Sequence, residues 1–264
     1  MRGVYACSAL VATIIALSAT AAAAAAPHVT LHASFDPDRA GASTTLSFGF
    51  TVAEPSPVRS IQVNLPAGIG SATATLGFAT CDPTVFEAEG AKGCPADSRV
   101  GHGAAHAEAP FIEEDNRPKP TYETASVETF FGPIEGDAQT VLFWVEGAWP
   151  ASFWEPLIAR VVAVSPPYGE RLSIEVPLLL AATEGPFTAL RSFTSTIGPE
   201  NITYYTHKHG KATPFKPRGL SVPDRCPHDG GASGFPVEAS FTWWESNETS
   251  RAVTHIPCPR QTRK

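Results

Sequence analysis

Ser43-Thr-Thr-Leu-Ser-Phe-Gly-Phe-Thr-Val52 places Leu46, Phe48, Phe50 and Val52 at every second position, on one face of an extended chain. A period of two, rather than 3.6, marks a strand with one covered face. The reading extends upstream to Val29–Phe35, which also alternates. Between the two lies Asp36-Pro-Asp-Arg-Ala-Gly41, with the Asp, Pro and Gly that turns use, so the pair reads as a hairpin or corner. Downstream, Val58–Leu65 directs Ile61, Val63 and Leu65 inward and stops at Pro66-Ala-Gly68.

Further along, Cys81-Asp-Pro-Thr-Val-Phe-Glu-Ala-Glu-Gly-Ala-Lys-Gly-Cys94 reads as a pinned corner between strands. Asp82 is a favoured N-cap and Pro83 suits a first helical position, which predicts a single helical turn across Thr84 to Glu89, ended by Gly90 and Gly93. The extended pattern resumes at Ser98–Ala107. The polar, proline-punctuated run 113–120 then forms a connection and a candidate subdivision of the chain.

Two hairpins follow. Tyr122–Phe131 and Gln139–Glu146 flank Gly132-Pro-Ile-Glu-Gly-Asp137, and the second arm is nearly continuous in apolar residues, as a strand covered on both faces is. Leu157–Val164 and Arg171–Val176 flank Ser165-Pro-Pro-Tyr-Gly169. Leu190–Ile197, Ile202–His209 and a terminal hairpin of Pro236–Trp244 with Arg251–Ile256 complete the set, while Gly210–Pro227 reads as a surface connection. No window between these limits keeps a helical period. Roughly ten strands broken by Pro and Gly predict an all-β protein, an antiparallel β-sandwich spanning 27–259.

Residues 1–26 read as a signal peptide: Arg2 is the positive end, Leu10–Leu17 the apolar run and Ala21–Ala26 the small-residue cleavage zone. Export is the expected fate, with a disordered basic tail at 260–264. The whole chain of 264 residues carries a formal charge of −7, and loss of Arg2 takes it to −8. With no basic stripe, nucleic acid is not an expected partner. No second apolar run reaches the ~20 residues of a membrane helix.

Four cysteines remain after processing: Cys81, Cys94, Cys226 and Cys258. An even number in an exported chain predicts disulfides, and of the three connectivities the sequence-local pairs 81–94 and 226–258 are favoured. Zinc fits less well, because no Cys-x-x-Cys spacing exists.

The stretch CDPTVF…GCPADSRVG, from Cys81 to Gly101, resembles a motif of large exported β-rich bacterial proteins without an assigned activity. Residues 202–259, with ITYYTHKHGKATPFKPRGLSVPDRCP followed by GFPVEASFTW and PCP, resemble the end of the same family. The resemblance implies secretion and a disulfide-bearing β fold, and transfers no catalytic residue.

Among candidate sites, the aromatic segment Trp149-Pro-Ala-Ser-Phe-Trp154 lies between strands and offers Trp149 and Trp154 as rings on which a sugar can stack, with Tyr205 as a further ligand-binding candidate. His207 and His209, two apart on a predicted strand, share one face and are the candidate metal ligands. His102 and His106 are four apart, about 13 Å on a strand, and cannot share a metal. Glu113, Glu114 and Asp115 lack the pattern of a calcium loop. No nucleophile elbow, Walker or dinucleotide pattern occurs, so no cofactor and no catalytic residue is assigned. These readings converge on a secreted structural or binding protein for an extracellular glycan or envelope protein. The alternative is a secreted hydrolase or metal-dependent enzyme with its site near His207 and His209.

Overall fold

The alternation is realised in fifteen strands and one α-helix among the residues that this computed structural model describes: 26–71, 78–112, 118–148, 152–179, 187–198, 203–216, 219–227 and 234–259. Residues 1–25, read above as a signal peptide, acidic residues 113–115, Trp149 and residues 260–264 lie outside them. The order begins with β1 (Val29–Asp36), β2 (Ser43–Ser56), β3 (Val58–Pro66), β4 (Gly70–Ser71), α1 (Pro83–Glu89) and β5 (Arg99–Ile112). Then come β6 (Pro118–Glu135), β7 (Ala138–Gly147), β8 (Phe153–Ala163), β9 (Tyr168–Glu175) and β10 (Ala189–Ile197). The last strands are β11 (Tyr204–Lys208), β12 (Lys211–Phe215), β13 (Leu220–Ser221), β14 (Phe235–Trp243) and β15 (Thr249–Ile256).

The chain is all-β and antiparallel, but it is not the expected sandwich of about ten strands. Thirteen strands form one sheet in the order β15-β14-β3-β9-β8-β7-β6-β5-β10-β2-β13-β4, with β1 also paired to β2. Two strands defeat a division into facing sheets: β3 bonds both β14 and β9, and β10 bonds both β5 and β2. The sheet therefore curls into a nearly closed barrel. The 113–120 connection joins neighbours in one ladder, which runs from Arg99 opposite Phe130 to Ile112 opposite Pro118.

From β15 round to β1 the wall has eleven long strands, each antiparallel to the next. Ten reversals leave β1 and β15 pointing the same way. An odd ring of antiparallel strands has no antiparallel pair left for its closure, and β15 meets β1 without a ladder.

The predicted turn Gly132–Asp137 is tighter in the structure. β6 continues to Glu135, a bulge between Phe131 and Ile134 accommodates Pro133, which lacks an N–H, and the reversal falls on Gly136 and Asp137. Tyr204–Lys208 and Lys211–Phe215 form a separate two-stranded sheet, so the segment after Gly210 returns as a strand. His209 and Gly210 both have positive φ, 49° and 74°, as a two-residue hairpin turn requires.

The helix predicted at the cysteine corner forms. The Asp82 carboxylate accepts from the N–H groups of Thr84 and Val85, and Pro83 opens the first turn. Cys81–Cys94 and Cys226–Cys258 are both paired. The first closes α1 onto the outside of the barrel, where buried Phe86 packs with Phe130 and Leu142. That placement makes β7 covered on both faces, with Leu142 outward and Val141 and Phe143 inward. Gly90 ends α1 at φ 69°, and a Cβ there would come within 2.5 Å of Trp144. Only glycine suits both demands.

No helix among the described residues is long and apolar enough to cross a membrane. Outward positions of β5 and β6 carry His102, His106, Thr124, Ser126 and Glu128, opposite in character to the apolar band that a membrane barrel turns to lipid.

Candidate functional site: an apolar lumen

Inside the barrel two clusters of buried side chains face different sectors of the wall. One joins β1, β2, β3, β14 and β15 around Phe50, Phe241 and Trp243, and the other joins β6 to β9 around Val127, Phe143 and Ala159. Between them lies a cavity of about 210 Å³. Its walls come from β2, β3, β5, β7, β8, β9 and β10, and of the described lining residues only Thr188 and Ser195 carry polar side chains.

Where Ala105 and Ala107 of β5 line the cavity, its wall has almost no side-chain volume, whereas Gly101 and Gly103 lie close against the backbone of β10. Gly101, Gly103, Ala105, Ala107 and Ala109 occupy five successive inward positions of β5, opposite Thr129, Val127, Ala125, Glu123 and Thr121 of β6. On the other flank β10 sets Ile197, Ser195, Phe193 and Leu190 beside the first four of them. Across the lumen, Leu157 and Leu172 point inward yet remain only partly buried, since nothing fills the space in front of them. Close packing is the norm in protein interiors, so a void of this size is a structural statement. It exceeds the about 150 Å³ of engineered cavities that bind benzene and falls below the about 300–1,000 Å³ of drug-sized pockets. A short alkyl chain or a small ring system fits that interval.

Carboxyl side chains stand at both ends. At one rim Glu155 pairs in register with lumen-lining Val145, and Glu123, buried at 5% exposure, pairs with lumen-lining Ala107. At the other rim Glu170 pairs with Leu65, another lining residue. Burial raises the pKa of both Glu155 and Glu170. Neither has a hydrogen-bond or ion-pair partner among the described residues. Phe153 folds over the first rim against Gly147, where its ring would lie 2.2 Å from any Cβ.

The residues singled out from sequence do not line this lumen. Trp154 is 58% exposed on the outer face of β8 and stacks on Trp144 at 5.3 Å, with an interplanar angle of 12°. Trp144 meets Phe86 edge-on at 5.7 Å, so the two indoles extend the helix-covered patch. Tyr205 is 61% exposed on the separate β11–β12 hairpin. His207 is on β11, whereas His209 is in the turn, so the two do not share a strand face. Among the described residues no three His, Cys, Asp or Glu side chains gather as metal ligands. His102 and His106 face solvent on β5, with His32, along a broad outer depression of about 900 Å³ floored by Ser and Thr side chains. That depression is open and has no converging set of metal ligands among the described residues.

The signal for the lumen was present in the sequence as Ala105-x-Ala107, within the small-residue run Gly101-x-Gly103-x-Ala105-x-Ala107-x-Ala109. Small residues at a period of two denote a wall without bulk, but they become a cavity only when the strand lies opposite Leu157 and Leu172. No family model matches the chain, and neither the curated proteins nor the solved structures contain a match.

Proposed function

We propose that the protein is an exported binding protein that carries a small apolar molecule in its lumen. The observation that supports this most is the void itself, an interior space walled by apolar side chains and kept open by Ala105 and Ala107 on β5. Burying an alkyl chain there releases about 0.8 kcal/mol per methylene, with little polar surface to desolvate in the walls. Two disulfides and the leader-like segment at 1–26 favour an oxidising, extracellular setting.

Titration of the purified protein with octan-1-ol, followed calorimetrically, tests the reading. Saturable binding is expected, together with its loss in Ala105→Leu, which fills the lumen from the β5 wall. No saturable uptake, or unchanged uptake in a folded Ala105→Leu protein, removes the proposal.

A second reading has its own support. The Trp144–Trp154 pair offers an exposed ring face that suits stacking on a sugar of a cell-envelope glycan. It predicts co-sedimentation with envelope polymers that Trp154→Ala abolishes and that octan-1-ol leaves unaltered. The hydrolase or metal alternative has less behind it, given the turn position of His209.

A further inference from the structure

We infer that the lumen selects ligands whose apolar body ends in a cationic, amine-type head and rejects those that end in a carboxylate. This rests on the lumen reading and adds the chemistry of the ligand's end to it. Among the described residues the lining contains no Lys, Arg or His. The ionisable side chains that pair in register with described lining residues are all acids, Glu123 and Glu155 at one end and Glu170 at the other, while Lys119 lies farther out on the same face of β6, opposite Phe111. Nearby arginines are committed elsewhere. Arg191, in the β10 bulge, is bonded to Glu108 and lies over Tyr122, while Arg171 donates to Asn64.

Glu155 and Glu170 are therefore desolvated carboxyls without a partner among the described residues, each beside an apolar channel. An ammonium group at either rim would supply the missing counter-charge and donate up to three N–H bonds while its chain occupied the lumen. A carboxylate head would meet like charge at both ends, in surroundings that screen it weakly. Glu155 and Ala163, the partner of Glu170, are eight residues apart on β8, about 26 Å along the strand, so a short chain engages one rim at a time.

The experiment compares octylamine, octan-1-ol and octanoate as ligands of the disulfide-intact protein at neutral pH, repeated with Glu155→Gln and Glu170→Gln. Octylamine should bind about tenfold tighter than octan-1-ol, the size of one charge-assisted hydrogen bond, with octanoate weakest. One of the two variants should bring octylamine down to the alcohol's affinity and leave the alcohol unchanged. Equal affinities for amine and alcohol in the parent protein overturn the inference while the lumen reading survives. So does an amine preference retained in both variants. If none of the three compounds binds, the lumen reading falls and takes the inference with it.

Discussion

Phe50 stands between two unlike sectors of one barrel. On one side it meets Phe241 edge-on at 4.8 Å, and Phe241 stacks on Trp243, whose indole N–H is bonded to Ser250. On the other it stacks on Phe193 at 5.6 Å, and beyond Phe193 the wall recedes to Ala105 and the lumen. Both sectors are built from the same alternation of inward apolar residues. Their difference is volume: aromatic rings face one another in the first, while leucines face alanine in the second. Apolar patterning brings strands together, but the sizes of the facing residues decide whether the interior is solid or hollow.

That contrast can be broken by mutation. Phe241→Ala removes a fully buried ring from the solid sector and should cost about 3–5 kcal/mol in a denaturant titration. Leu157→Ala, on the lumen wall, deletes a side chain that already lacks neighbours on one side, so its cost should fall near or below about 2 kcal/mol. Similar losses in the two variants would mean that the lumen wall is packed as tightly as the solid sector. Enlarging a residue should separate the sectors by sign. Ala239→Leu overpacks a site with no exposed surface and should destabilise by about 1–3 kcal/mol, whereas Ala105→Leu enters free space and should leave the thermal midpoint unchanged or raised.

The smallest effect concerns the lumen rim. Burial pushes the Glu170 carboxyl above the ordinary carboxylate range, so the folded protein retains a proton that the unfolded chain has already released. Stability contributed by that proton is lost as pH rises from the ordinary carboxylate pKa through the raised one, and is constant above it. Glu170→Gln should flatten this region of the stability–pH curve and slightly raise the midpoint at neutral pH. An unaltered curve would place Glu170 in a solvated position.

Much of the local structure was legible in the residues. Leu46 to Val52 specified β2, Asp82 and Pro83 specified α1, and the two sequence-local cysteine pairs follow from an even count with short separations. What escaped was the order of strands. Nothing near Val63 says that its neighbours are Leu172 and Ala239, and nothing near Phe193 says that it lies between Phe50 and Ala105. Those pairings turn a supposed sandwich into a barrel, and they are tertiary facts. The lumen escaped for the same reason: histidines and tryptophans attract attention by chemistry, whereas Ala105 and Ala107 matter only through what they fail to fill. Turn chemistry also misled at His209, where a residue with φ 49° was assigned to a strand.

The eleven-strand wall has a mechanical consequence. Because β1 and β15 run the same way, Val29 is at one rim and Ile256 at the other. Tension applied between those two points acts along the strands and loads the β1–β2 and β14–β15 ladders in shear. Their hydrogen bonds, perpendicular to the pull, would share the force together rather than break in succession. A molecule tethered by the ends of its first and last barrel strands would thus resist extension in its stiffest direction.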